Sequence, residues 1–178
     1  SEDGNVRSYA VAGSFDDCHR LTKDAFADAE VRRHVRLTSA NSVNIGRLLP
    51  QMVYYFHAVA EVRRRAPEAP IVVCTPSGNF GNLTAGLFAK RAGLPIERFV
   101  AATNANDVVP EYLATGTFSP RASVQTIANA MDVGNPSNLE RLRALYPSAD
   151  ELRQVVRARS FNDDEIRDAI VDAKKHWG

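Results

Sequence analysis

The apolar residues of the chain follow two different periods, and each change of period predicts a new element. An apolar, β-branched run at 71–75 is typical of a buried strand, and a helical pattern at about 82–92 follows it and ends at Gly93. Another apolar run at 96–104 predicts a second strand. Strand, helix and strand in this order form a βαβ unit, which predicts parallel strands and an α/β fold.

Longer helices are predicted on both sides of this unit. The first begins after Ser14, with Asp17 three residues later as in a capping box, and the second covers about 44–65 with Pro50 inside its apolar stripe. A proline there means that the helix either begins later or kinks. The last helix carries the clearest apolar stripe, and we expect that stripe to need a surface to pack against: Ile166, Ala169, Ile170, Ala173 and Trp177.

The remaining elements are shorter. The segments 6–12 and 35–38 are predicted as strands, 108–114 as a helix, and 123–130 as a strand or an extended loop. A cap residue followed by a glutamate three positions later predicts a helix start at each of three places: Ser137, Ser148 and Asn162.

Composition excludes several classes of protein. The chain has 178 residues, is 44% hydrophobic and carries a formal net charge of +1. It is long enough for one domain or for parts of two, with enough apolar residues for a core. The charge gives no electrostatic reason to expect nucleic acid or a membrane surface as a partner, and no apolar run approaches the ~20 residues of a membrane span.

Neither the cysteines nor the acidic pair predict a metal site. The two cysteines, Cys18 and Cys74, are far apart in the chain, so we expect reduced, mostly buried thiols in a cytoplasmic protein. Asp16 and Asp17 lie in a predicted first helical turn, where carboxylates complement the helix dipole. We therefore expect no metal.

The turn between the first strand and its helix, residues 77–82, contains the main candidate chemistry. Its sequence is Ser-Gly-Asn-Phe-Gly-Asn, and Gly78 and Gly81 are expected to allow positive φ and a close approach to a ligand. Free N–H groups at the start of the helix favour an anion such as phosphate. The turn is neither the dinucleotide fingerprint nor the P-loop, and similar turns occur without a ligand. The pattern alone leaves both interpretations open.

A second polar cluster precedes the helix predicted at 44–65. It contains Asn41, Ser42, Asn44 and Arg47. Two amide side chains with an arginine one turn later are suited to hold an oxyanion. An ordinary N-cap beside a surface arginine has the same composition, and chemistry alone favours that plainer interpretation.

Several of these stretches, in order, resemble threonine synthase, a fold-type-II enzyme that uses pyridoxal phosphate. The resemblance covers roughly residues 5–147 and is carried by independent motifs. The matching stretches are GSFDDC at 13–18, SANSVNIGR at 39–47, SGNFGNLTAG at 77–86, ATNAND at 102–107 and NAMDV at 129–133.

The resemblance implies a fold and an organisation. The fold would be α/β, a parallel sheet with flanking helices like other fold-type-II pyridoxal enzymes, but incomplete and containing parts of two subdomains. Residues 1–66 would be part of the small subdomain and the crossover helix, and 67–147 part of the large cofactor-phosphate-binding subdomain. Residues 148–178 would be a helical C-terminal extension. The chain would thus be an internal fragment of such an enzyme.

The resemblance also implies an activity and two sets of site residues. The family converts O-phosphohomoserine and water to threonine and phosphate, a lyase reaction of threonine biosynthesis in the cytoplasm. The cofactor's phosphate would be bound by Ser77, Gly78, Asn79, Phe80, Gly81 and Asn82. The phosphorylated amino-acid substrate would be bound by Asn41, Ser42, Asn44 and Arg47.

One residue that the family requires has no counterpart. Its enzymes hold pyridoxal phosphate as a Schiff base on a lysine in an N-terminal Phe-Lys-Asp-type motif. The lysines of this chain are Lys23, Lys90, Lys174 and Lys175, and none lies in such a motif. No catalytic residue is therefore assigned, and we expect the chain alone to be inactive.

Two alternatives remain open from the sequence. One is another fold-type-II pyridoxal enzyme, such as a serine or threonine dehydratase, although the stretches at 41–47 and 129–133 argue against it. The other is a non-catalytic module that binds phosphate or pairs with a complementary chain. In each case the apolar stripe of the last helix predicts self-association.

Overall fold

The computed structural model describes residues 5–178, which form two compact units, one up to Leu37 and one spanning Thr38–Gly178. The first unit contains α1 (Phe15–Ala27) and α2 (Ala29–His34). The predicted capping box of α1 is confirmed, since the Asp17 N–H donates to Ser14 Oγ at 3.3 Å and the Ser14 N–H donates to Asp17 Oδ2 at 2.9 Å.

The strands predicted at 6–12 and 35–38 are wrong. Neither segment is a strand in the described structure, and neither pairs with another. A short apolar run becomes a strand only when a neighbouring edge supplies its hydrogen bonds.

The second unit contains three strands and six α-helices among its described residues. In chain order they are α3 (Ile45–Arg65), β1 (Val72–Pro76), α4 (Gly81–Arg91), β2 (Arg98–Thr103), α5 (Val108–Thr115), α6 (Leu139–Leu145), α7 (Ala149–Val155), β3 (Val156–Ser160) and α8 (Asp163–Trp177), with a 3₁₀ turn at Asn129–Met131. Segment 123–130 is thus a loop that leads into this turn. The helix predicted at 44–65 is confirmed, with Asn44 as its N-cap and Pro50 inside it.

The sheet has the order β1-β2-β3, and both pairs are parallel. Cys74 lies opposite Val100, which lies opposite Arg157. The predicted βαβ unit is therefore confirmed. Because all three strands run in the same direction, the loops that follow them meet at one edge of the sheet, where ligands bind in open α/β sheets.

Details of the strands differ from the prediction. The segment 148–178, expected to be helical, contains β3, which the open edge of β2 stabilises although only Val156 of this strand is buried. Strand β1 continues through Pro76, a residue that an edge strand tolerates. The subdomain boundaries after residues 66 and 147 stay predictions.

Two of the three predicted helix caps are confirmed. Ser148 caps α7, and Asn162 caps α8 in a full capping box with Glu165. Ser137 does not cap α6, which begins after Asn138. Cys18 and Cys74 are unpaired, but the expectation that they are mostly buried is wrong, since both are exposed.

The core lies between the sheet and the helices that cover it. Helix α3 packs against α4 across Gly86, where a Cβ would lie 2.5 Å from the Phe99 ring and 2.7 Å from the Tyr55 ring. These two rings meet edge to face at 5.8 Å. The largest fully buried apolar side chains are Phe99, Leu48, Leu83, Leu87, Ile96, Leu139, Leu142, Leu152, Val108, Val109 and Val156. In the described part of the chain, no helix is both long and apolar enough to cross a membrane.

Candidate anion-binding site

The turn predicted to bind phosphate, residues 77–82 and called the phosphate loop below, joins β1 to α4 at the edge of the sheet where the strands end. Its left-handed residue is Phe80, at φ 60° and ψ 16°, with the side chain buried in the core. The expectation that Gly78 and Gly81 take positive φ is wrong. They serve close approach instead: a Cβ on Gly78 would lie 2.8 Å from Met131 Cα, and one on Gly81 would lie 2.8 Å from Ser42 Cβ.

The backbone of the loop presents unused donors. Among the described residues, no acceptor bonds to the N–H groups of Gly78, Asn79, Phe80, Gly81 or Asn82. A left-handed residue followed by a helical one turns successive N–H groups towards one side, and the start of a helix adds partial positive charge. The arrangement is suited to a tetrahedral oxyanion such as phosphate.

The side chains at the two ends of the loop are occupied within the protein. The Ser77 hydroxyl donates to the Thr75 carbonyl oxygen at 3.1 Å, and the Ser77 N–H donates to the Ala102 carbonyl oxygen at 2.8 Å. The Tyr55 hydroxyl lies 3.0 Å from the Asn82 carbonyl oxygen and also contacts Asn82 Oδ1. Asn82 therefore offers an anion its N–H group, whereas both donors of Ser77 are already bonded.

Asn79 ties the loop to two distant parts of the chain. Its Nδ2 donates to Ser42 Oγ at 2.6 Å, and its Oδ1 accepts from the Ser137 N–H at 2.8 Å. Its carbonyl oxygen accepts from Asn138 Nδ2 at 2.9 Å, and Asn138 is fully buried. Arg141 extends this network, because it donates to Asn138 Oδ1 at 2.8 Å and to the Val43 carbonyl oxygen.

The second predicted cluster lies beside the phosphate loop through Ser42. Asn41 Oδ1 accepts from the Ser42 N–H at 2.6 Å, and Asn44 Oδ1 accepts from the Gly46 N–H at 2.9 Å as the N-cap of α3. Arg47 is exposed and donates to the Ala40 carbonyl oxygen. A shallow depression of about 590 Å³ is lined by Ser39, Ala40, Asn41, Ser42 and Arg47.

The residues that hold the loop in place are not evident from the sequence pattern. The sequence pattern predicts Ser137 only as a helix start and Tyr55 only as part of a long helix, and it singles out neither Asn138 nor Arg141. An Asn-Pro-Ser-Asn run at 135–138 was a usable signal, since so many polar residues in a buried connection need hydrogen-bond partners.

Lys90 lies at the opposite end of α4 from the phosphate loop. At 1.5 Å per residue, the axial distance from Gly81 is about 13 Å. Its Nζ donates to the Ile96 carbonyl oxygen. That Lys90 does not serve as the Schiff-base lysine stays a prediction.

Comparison with known proteins identifies relatives of this arrangement. The chain is 54% identical to threonine synthase from Haemophilus influenzae over 143 residues, which are 80% of this chain and 33% of the relative. The crystal structure of threonine synthase from Escherichia coli superimposes with a TM-score of 0.89 at 42% identity, over 98% of this chain and 40% of that one. The chain is similar to the threonine synthases in both sequence and fold.

A further threonine synthase supports the same relationship. The pyridoxal-phosphate-bound enzyme from Brucella melitensis superimposes with a TM-score of 0.83 at 32% identity, over 100% of this chain and 43% of that one. The predicted resemblance to threonine synthase and the predicted fold class are confirmed. No protein-family model matches the chain. The chain spans about a third of the length of the threonine synthases that it matches in sequence.

Proposed function

We propose that this chain supplies the cofactor-phosphate site of a threonine synthase. The whole enzyme would use pyridoxal phosphate to convert O-phosphohomoserine and water to threonine and phosphate. Support for the reaction comes from the sequence similarity to threonine synthases and from the cofactor-bound relative. The observation that carries the site is the row of unbonded N–H groups from Gly78 to Asn82.

The chain's own residues would bind and orient the cofactor. The N–H groups of residues 78–82 would hold its phosphate, while Asn79 keeps their backbone in place through Ser42 and Ser137. When bound, pyridoxal phosphate supplies an electron sink for the bond changes at the substrate. The lysine that bonds to the cofactor would come from outside these residues.

The substrate's phosphate would lie in the depression beside the loop. Arg47 carries a planar, permanently charged guanidinium there, and such a group can hold a phosphate with two hydrogen bonds. Asn41 and Ser42 line the same depression, whereas Asn44 lies outside its lining. Ser42 Oγ also accepts from Asn79 Nδ2, so Ser42 connects the depression to the phosphate loop. The two phosphates would thus bind on either side of Ser42.

A cytoplasmic location is part of this proposal. The two unpaired, exposed cysteines, Cys18 and Cys74, suit a reducing compartment.

Binding of pyridoxal phosphate by the purified chain tests the proposal. Isothermal titration calorimetry should give a dissociation constant for pyridoxal phosphate at least about tenfold lower than that for pyridoxal, which lacks the phosphate, because a tenfold difference needs only about 1.4 kcal/mol. Equal affinity for the two compounds, or no binding of either, would contradict the site.

A matched pair of variants locates the binding. Gly81→Ala places a Cβ against Ser42 and should weaken pyridoxal phosphate binding about tenfold. Ala92→Val adds bulk at the exposed C-cap of the same helix and should leave binding unchanged. Equal losses in both variants would show that the effect comes from α4 as a whole.

A further inference from the structure

We propose that Asp132 is a positioning residue for the phosphate loop, an inference that rests on the proposed function. It works within a group of four side chains, the Asp132 cluster: Asn104, Asn106, Thr126 and Asp132. The cluster would fix the backbone of Met131 against Gly78. No role in binding the cofactor directly is assigned to it.

The Asp132 carboxylate gathers donors from two loops. Oδ1 accepts from Asn104 Nδ2 at 2.7 Å, from Thr126 Oγ1 at 2.7 Å and from Asn106 Nδ2 at 3.2 Å. Oδ2 accepts from the Thr126 N–H at 3.1 Å. An ionised carboxylate accepts hydrogen bonds at both oxygens, so it suits a site built from donors.

The two asparagines anchor this group to the end of β2. Asn104 and Asn106 are 2% and 7% exposed. Asn104 Oδ1 accepts from the Asn106 N–H at 3.0 Å, and Asn106 pairs with the backbone of Val124 through both its amide atoms, at 2.8 and 2.9 Å. The loop around 124–132 has only a short 3₁₀ turn, so side chains of the cluster supply bonds that a strand would obtain from a neighbour.

The cluster acts on the phosphate loop through the residue next to Asp132. The position of a Cβ on Gly78 lies 2.8 Å from Met131 Cα and 3.1 Å from the Met131 carbonyl oxygen. The backbone of Met131 thus packs directly against the phosphate loop at Gly78. If Asp132 lost its hydrogen-bond partners, the Met131 backbone would be free to move. The N–H groups of Gly78 and its neighbours would then lose their fixed spacing. Preorganised donors bind an anion more tightly than mobile ones.

The test is Asp132→Asn in the purified chain, with pyridoxal phosphate as the probe. The variant keeps the shape of the side chain but turns one acceptor into a donor that faces other donors. We expect the dissociation constant to rise about tenfold or more and the ¹⁵N order parameters of the Gly78 and Gly81 amides to fall. Thr126→Val, a milder change that removes one hydroxyl of the cluster, should raise the dissociation constant about threefold.

Asp163→Asn is the matched control. The Asp163 carboxylate also accepts from a backbone N–H of this loop, that of Ile127 at 3.2 Å, but among the described residues it forms no hydrogen bond with the cluster. Asp163→Asn should leave the dissociation constant for pyridoxal phosphate within about twofold of that of the unmodified chain, and it should leave the order parameters unchanged. Leu152→Ala, which empties a fully buried site in α7, should lower the urea midpoint without changing the affinity.

The outcomes separate the two proposals. Failure of the unmodified chain to bind pyridoxal phosphate would contradict the proposed function, and the order parameters would then decide the role of Asp132. Unchanged order parameters and affinity in Asp132→Asn would overturn the inference. An equal loss of affinity in Leu152→Ala would also overturn it, because binding would then follow overall stability.

Discussion

At the scale of single residues, Tyr55 connects the core to the phosphate loop. Tyr55 is 6% exposed and its ring packs against Phe99, while its hydroxyl contacts both oxygens of Asn82. Burial raises the pKa of Tyr55 to about 12. The unfolded chain loses this proton nearer pH 10, so the free energy of unfolding should fall as the pH rises from about 10 to about 12.

Tyr55→Phe tests this role. Removing the hydroxyl should lower the free energy of unfolding by about 1 kcal/mol at neutral pH and remove the Tyr55 share of the loss between about pH 10 and 12. Urea unfolding followed by circular dichroism at pH 8 and at higher pH measures both effects. Tyr54→Phe is the control, because Tyr54 is the neighbouring residue on α3 and is 65% exposed. Equal effects of the two changes would contradict the assigned role.

At the scale of elements, α8 is well formed but poorly covered. Its capping box is complete, with the Asn162 N–H donating to Glu165 Oε2 and the Glu165 N–H donating to Asn162 Oδ1, both at 2.9 Å. The hydrogen bond from the Asn162 N–H is the largest cause of the lowered pKa of Glu165. Yet no residue of α8 is buried, and Ile170 and Trp177 are 60% and 88% exposed. Local signals thus fix the helix without supplying a surface for its apolar stripe.

We predict that α8 drives self-association. Light scattering should report a mass above the 19.5 kDa of the monomer, and the emission of Trp177, the only tryptophan, should shift to the red on dilution. Ile170→Glu, on the stripe, should give a monomer, whereas Val171→Glu should not, although Val171 is 50% exposed. A monomer whose emission does not change with concentration would contradict the prediction.

At the scale of the whole molecule, the proposed phosphate site lies in a chain whose lysines match no Schiff-base motif of the family. We predict that the purified chain with pyridoxal phosphate releases no phosphate from O-phosphohomoserine. The absorbance change that marks a lysine–cofactor bond should also be missing. Phosphate release that disappears in Lys23→Ala or Lys90→Ala would show that one of these residues performs the missing role.

The sequence by itself determined the local features of the fold. The caps at Ser14, Ser148 and Asn162 and the order of β1, α4 and β2 were all predicted, because each depends on residues within one or two turns of each other. The position of the phosphate loop followed from the same signals. Its resemblance to threonine synthase rested on motifs that are likewise short.

Tertiary structure decided the features that depend on distant partners. Strand β3 forms because β2 has an open edge. Ser137 does not cap a helix as predicted, because its hydroxyl donates to Asn79 Oδ1 instead. The glycines of the loop were predicted to allow positive φ. In the structure their lack of a side chain instead lets Ser42 and Met131 pack closely against the loop. No local pattern reveals which backbone will pack on a glycine. The sequence predicts the N–H donors of the loop, whereas the residues that pack against the loop and hold those donors in place come together only when the chain folds.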